Sequence, residues 1–163
     1  MRSESEAENR RDELVAQIAA LAEESGRTVG VAESLTGGQL SAALAGGENA
    51  AQWYRGSVVA YAPEVKFDVL QVEPGPVNTA RCAREMALGA ERVLGCDVAV
   101  SATGVGGPGP DEGVPAGTVF IACSRQGDEA GLGEHHLDGD PPAVLARTVE
   151  LALESIRKAL SAD

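Results

Sequence analysis

Apolar and polar positions along the chain fall into two patterns. Short, nearly uninterrupted apolar stretches read as buried strands: Thr28 to Glu33, Ser57 to Tyr61, Asp97 to Thr103 and Gly117 to Ser124. A weaker stretch runs from Gly131 to Leu137 after a turn at Gly127-Asp128. Between them, apolar residues recur at the spacing of an amphipathic helix. Leu14, Ile18, Leu21 and Ala22 predict a helix from Asp12, ended by Ser25-Gly26. A second helix is expected from Thr36 to about Ala45, closed by Gly46-Gly47, with a polar loop over Glu48 to Gln52. Pro63 suits the first turn of a short helix to Leu70. Asn78 is placed to cap a long helix from Thr79 to about Leu94, stopped by Gly95. Asp140 caps a last helix with Pro141 at its first position; Leu145, Val149, Ala152, Leu153, Ile156 and Leu160 line its inner face.

Strands and helices that mostly alternate predict an α/β fold, a three-layer α/β/α sandwich. Two consecutive strands near Gly117 and Gly131 predict a hairpin, and so a mixed, mostly parallel sheet. The chain's 163 residues fit one domain with a real core. We expect a frayed acidic lead-in over 1–11 and a single domain over 12–163.

Composition narrows the possibilities. The formal net charge is −12, which argues against nucleic-acid binding through a basic surface. No apolar run approaches the ~20 residues of a membrane span. The polar start MRSESEAENRRDEL lacks the apolar core of a signal peptide, so a cytoplasmic protein is expected. An acid-rich chain with only Lys66 and Lys158 as lysines fits a salt-adapted source or an ordinary acidic protein, and both stay open. Cys82, Cys96 and Cys123 are odd in number and widely spaced, which predicts buried thiols rather than a disulfide framework or zinc site.

Three stretches carry candidate chemistry. VGVAESLTGG, Val29 to Gly38, runs from a strand into a helix start. Ser34 would lie beside free backbone N–H groups, and Gly37 and Gly38 allow close approach. The alternative is a capped helix behind a glycine turn. Gly104-Val105-Gly106-Gly107-Pro108-Gly109 formally satisfies G-x-G-x-x-G after a strand. Pro108, Pro110 and Pro115 forbid the helix that a dinucleotide fingerprint needs. The loop remains a candidate pocket wall. Tyr61 ends a strand, and Lys66 follows in the next helix, where burial and the helix N-terminus favour a neutral amine able to act as a base. A packed tyrosine and a surface lysine are the alternatives. His135 and His136 would point to opposite faces of a strand, so no shared metal site is expected. Glu33 is a candidate for bonding backbone or substrate.

Taken together, VGVAESLTGG, WYRGSVVAYAPEVKFDVLQV, VSATGVGGPGP and VPAGTVFIA resemble the CinA carboxyl-terminal domain family, in order, from about Leu14 to the last helix. Its characterised members are nicotinamide-nucleotide amidohydrolases. The resemblance implies hydrolysis of the carboxamide of nicotinamide mononucleotide to nicotinate mononucleotide and ammonia, in pyridine-nucleotide salvage. It implies Ser34 as nucleophile, Lys66 as general base, Tyr61 as a third catalytic residue, and no metal or cofactor. The expected substrate contacts are Glu33, Thr36, Gly37, Gly38, Thr103, Gly104, Gly106, Gly107 and Gly109, with the oxyanion held by N–H groups near Thr36 and Gly37. The expected partner is a small nucleotide, with no nucleic acid or membrane, in a homo-oligomer, a dimer by analogy. The chain resembles the family's stand-alone form. Departures from the family pattern are Leu35 for the cysteine after the serine, Ala62-Pro63 for Ser-Asn after the tyrosine, and Pro141 and Leu145 for two arginines, whose role would be absent or pass to Arg147. Two further functions are open: a non-catalytic binding module in a competence or DNA-damage pathway, and an amidase for another small amide.

Overall fold

The computed structural model describes residues 2–162. The strands are β1 (Val29–Glu33), β2 (Tyr54–Val59), β3 (Val98–Gly104), β4 (Thr118–Arg125) and β5 (Asp128–His136). The helices are α1 (Glu4–Ser25), α2 (Gln39–Ala45), α3 (Ala50–Trp53), α4 (Pro63–Leu70), α5 (Ala80–Leu94) and α6 (Pro141–Ser161). The strands form one sheet in the order β2-β1-β3-β4-β5. β1 pairs in parallel with β2 and β3, while β4 runs antiparallel to both β3 and β5. The expected mixed sheet and α/β class are therefore observed.

Strand alternation divides the core into two layers. Val29, Val31, Val98, Val100, Ala102, Ile121 and Cys123 meet the apolar residues of α1, α2 and α6, with Trp53 of α3. On the opposite face Ala32, Ala60 and Ala99 meet Leu70, Cys82, Met86 and Ala90 of α4 and α5. The residues of β1 are all buried, which fits a central parallel strand covered on both faces. A side chain on Gly89 of α5 would collide with the Leu70 carbonyl that ends α4, so those helices touch backbone to backbone. Among the described residues, no helix is long and apolar enough to cross a membrane.

The chain leaves β1 for β2 by helices on one face, then leaves β2 for β3 by helices on the other. With β1 between them, the connections diverge at the carboxyl ends of the parallel strands. This is a topological switch point, where open α/β sheets form a crevice.

Several boundaries differ from the expected ones, each for a local reason. α1 starts at Glu4, so residues 4–11 are helical rather than frayed. Ser3 and Glu6 form a capping box, and Arg2 reaches the buried Glu150 of α6 at 2.6 Å. Met1 and Asp163, the ends of the expected lead-in and domain, lie outside the described residues. The loop expected over Glu48 to Gln52 contains the start of α3, where Trp53 Nε1 donates to Glu48 O (2.9 Å). Thr79, not Asn78, caps α5 and accepts from Cys82 N (3.1 Å). β5 starts early, at Asp128, because a tight turn pairs that residue with Arg125.

α2 starts at Gln39, later than expected, because Gly37 (φ 55°) and Gly38 (φ 106°) are left-handed turn residues. Neither gives α2 a side-chain cap; Glu33 does so from the end of β1. Its fully buried carboxylate accepts from Thr36 Oγ1 (2.7 Å), Leu40 N (2.8 Å), Ser41 N (3.0 Å) and Ser57 Oγ (3.2 Å). A strand, a turn, a helix and a neighbouring strand thus share one anion. Glu33→Ala is expected to destabilise the protein by about 3 kcal/mol, since hydrogen bonds to a charged group are strong and buried N–H groups would be orphaned. Urea unfolding measures this, with Glu33→Gln expected between the variant and the parent.

Candidate active site

The crevice at the switch point is a cleft of about 420 Å³. Its wall includes Ser34, Tyr61, Lys66, Asn78, Asp111 and the glycines Gly104, Gly106, Gly107 and Gly109. Leu35, Pro63, Val77, Val105, Pro141 and Leu145 supply its apolar surface.

Ser34 is the first residue beyond β1. Its N–H continues the ladder to Ala102 O (3.0 Å), and its carbonyl accepts from Gly37 N (3.1 Å). The residue is 8% exposed, and its hydroxyl makes no hydrogen bond among the described residues, so it is free toward the cleft. The Gly37 N–H is thus engaged by Ser34 itself. The N–H groups of the turn that make no hydrogen bond among the described residues include those of Leu35 and Thr36.

Lys66 is 1% exposed, on the first turns of α4, whose N-terminus is set by Pro63. Its Nζ donates to Ala60 O (2.7 Å) and Tyr61 O (3.2 Å). Ala60 in turn donates its N–H to Glu33 O (2.8 Å), so it links Lys66 to the residue before Ser34. Lys66 forms no salt bridge among the described residues. Burial lowers its pKa from the ordinary 10.5, with Cys82, Glu112 and Glu64 pulling the other way. A neutral amine has two N–H bonds and one lone pair. Two carbonyl partners leave the lone pair as the unengaged position.

Tyr61 is 71% exposed at the cleft mouth. Its carbonyl, not its phenol, holds Lys66. The glycine loop expected to line a pocket does so at Gly104, Gly106, Gly107 and Gly109.

Five expected contacts lie elsewhere. Glu33 and Thr36 are buried and bonded to each other. Gly37 and Gly38 form the turn into α2 and lie outside the cleft wall. Thr103 is fully buried, with its hydroxyl on Val77 O (3.3 Å). Arg147 turns away from the cleft, toward Glu150 (2.9 Å) and Glu154 (3.7 Å). Burial raises the Cys82 thiol to about 11, which keeps it protonated, and the residue is not on the cleft wall.

Asn78 and Asp111 join the site without having been expected there. Asn78 reads as a helix cap, and Asp111 lies beside Glu112 in a Gly/Pro loop that carries no acid motif. Only the contact between these two distant positions, Asn78 Nδ2 to Asp111 Oδ2 at 2.8 Å, reveals them as a pair. Pro141 and Leu145, noted in the sequence as departures, both lie on the cleft wall.

The family model for the CinA C-terminal domain matches residues 11–160. A relative from Shouchella clausii, named a competence-damage inducible protein, is 42% identical over 132 residues; this covers 77% of the present chain and 31% of the relative. A CinA-like protein of Citrifermentans bemidjiense is 36% identical over 157 residues, covering 92% of this chain and 37% of that protein. The chain thus spans about a third of the length of these relatives. A crystal structure of a competence-damaged protein (CinA) superfamily protein from Klebsiella pneumoniae superposes with a TM-score of 0.88 at 32% identity, covering 93% of this chain and 98% of that one. The competence/damage inducible protein CihA from Agrobacterium tumefaciens gives 0.87 at 28% identity, covering 94% and 96%. With its sheet order, its switch-point cleft and this match over nearly its whole length, the chain belongs to the CinA C-terminal domain family.

Proposed function

We propose that the protein is a serine amidohydrolase that releases ammonia from the carboxamide of nicotinamide mononucleotide, with Lys66 as its general base. The observation that carries this is a buried amine without a counter-ion in the same cleft as an unengaged serine hydroxyl. A hydroxyl attacks an amide only if its proton is removed, and a neutral amine can remove it near neutral pH.

The reaction runs in two halves. Ser34 Oγ attacks the amide carbon while its proton passes to Lys66 Nζ. The tetrahedral oxyanion has the free N–H groups of Leu35 and Thr36 as candidate donors. The C–N bond then breaks, and Lys66 returns the proton to the leaving nitrogen, which departs as ammonia. Water attacks the resulting ester while Lys66 takes its proton; the ester C–O bond then breaks, Lys66 returns that proton to Ser34 Oγ, and the acid leaves. Tyr61, exposed at the mouth, is assigned to contact with the substrate.

One observation favours a second substrate. The α6 wall of the cleft is Pro141 and Leu145, and Lys66, already held by carbonyls, is the one cation among the residues lining it. A phosphate gains no ion pair from such a wall, which suits a small amide without phosphate.

Ser34→Ala and Lys66→Met are each expected to lower ammonia release from the mononucleotide by about 10³-fold or more while leaving the circular-dichroism spectrum intact. Normal turnover by both variants would overturn the dyad. A parent protein that binds the mononucleotide but releases no ammonia, at low or high salt, would point to the binding module.

The pH dependence follows from the sign of the Lys66 shift. Because the pKa is lowered from 10.5, the active neutral amine forms below that pH. The kcat/KM value should rise with pH through one ionisation and level off before 10.5. Lys66→Arg, which holds its proton, should be inactive throughout.

A panel of amides decides the substrate. Nicotinamide turning over faster than its mononucleotide would select the second substrate.

A further inference from the structure

The reaction above makes no use of Asn78, although it is 5% exposed and lines the cleft. The side chain's one hydrogen bond among the described residues runs from Nδ2 to Asp111 Oδ2 (2.8 Å). A carboxylate only accepts, so the atom facing it must be the amide nitrogen. That fixes the orientation of the group and leaves Oδ1 as an unpartnered acceptor. The backbone beneath it is equally fixed. Glu112 accepts from Val77 N (3.0 Å) and Asn78 N (2.8 Å), and Thr103 pins the Val77 carbonyl. Asn78 therefore meets a ligand already oriented.

On this side the cleft offers two kinds of acceptor, an amide oxygen and the Asp111 carboxylate. Both suit a group that donates N–H bonds. A primary carboxamide has such a group, its NH₂. The acid formed by its hydrolysis has none and is negative, so it would face Asn78 Oδ1 unpaired and Asp111 across a like charge. We infer that Asn78, oriented by Asp111, is the residue that selects a primary carboxamide over the corresponding acid, and that it thereby favours release of the acid product. The inference rests on the hydrolase reading for what counts as product, but its content is a binding preference.

Ser34→Ala protein allows that preference to be measured without turnover. Calorimetric titration with nicotinamide mononucleotide and nicotinate mononucleotide, and with nicotinamide and nicotinate, should give at least one pair in which the amide binds tenfold or more tightly. In the double variants with Asn78→Leu and Asn78→Ser, the ratio should fall below threefold through weaker amide binding, with the melting temperature showing that at least one of them is folded. With Asp111→Asn the acid should bind more tightly, because the charge and the orienting lock go together. Equal affinities in both pairs, no measurable amide binding, or an unchanged ratio in a folded Asn78 variant would overturn the inference. The two readings separate cleanly. Parent protein that releases no ammonia, while Ser34→Ala protein still prefers amides, removes the hydrolase and leaves the selection in place. Turnover without any amide preference does the reverse.

Discussion

A buried amine with no carboxylate to pair it among the described residues is the arrangement on which this structure turns. Burying the charged form of a lysine is costly, and proteins usually meet that cost by ion pairing or by letting the group go neutral. At Lys66 the partners are two carbonyl oxygens, which accept from either form but supply no counter-charge. The surrounding architecture serves this placement. β2 must stop at Val59 so that Ala60 and Tyr61 can turn their carbonyls to the amine. α4 must start at Pro63 to bring Lys66 back over them, and α5 packs on the far end of α4, where Gly89 meets the Leu70 carbonyl.

The neighbouring carboxylate has the opposite task. Glu33 adjoins Ser34 in sequence, yet it is committed to the start of α2 and to Ser57. A carboxylate paired with Lys66 would favour the ammonium and raise its pKa. Satisfying Glu33 within the core keeps its charge occupied and holds the end of β1 rigid, so that Ser34 stands on a fixed backbone. The acids that do reach the amine through space, Glu112 and Glu64, oppose its fall in pKa without pairing with it. Glu112 is itself occupied by the N–H groups of Val77 and Asn78.

The parts of this arrangement legible in the sequence are those written in local chemistry. The apolar run of β1, Pro63 at the head of α4 and the Asp140-Pro141 start of α6 each carry their signal within a few residues. Ser34 and Lys66 could be singled out because a serine after a buried strand and a scarce lysine near a helix start are local facts too. Their meeting in one cleft could not be read from periodicity; the order β2-β1-β3 creates it. What escaped was fixed by partners far away in the chain. The role of Glu33 depends on Ser41 and Ser57, and the orientation of Asn78 depends on Asp111, whereas the early start of α1 is carried by the local capping box of Ser3 and Glu6. By residue type Asn78 is the better cap of the pair, and its tertiary contact with Asp111 leaves the cap to Thr79.

Local and global electrostatics act on different steps. In the proposed reaction, a few groups within the cleft govern the chemistry, and low polarity strengthens each interaction. Approach is governed by the whole chain, whose net charge is −12. A phosphate-bearing substrate is repelled over distances of about 10 Å at 0.1 M salt, and over about 3 Å at 1 M. Added salt should therefore speed the encounter of an anionic nucleotide and leave a neutral amide nearly unaffected. Once inside, the two substrates meet the same apolar α6 wall at Pro141 and Leu145 and the same donor-seeking pair, Asn78 and Asp111. Acidity of the chain as a whole thus bears on which substrate arrives and at what salt. In the proposed reaction, the cleft bears on which functional group is held there, and the amine at Lys66 on whether it reacts.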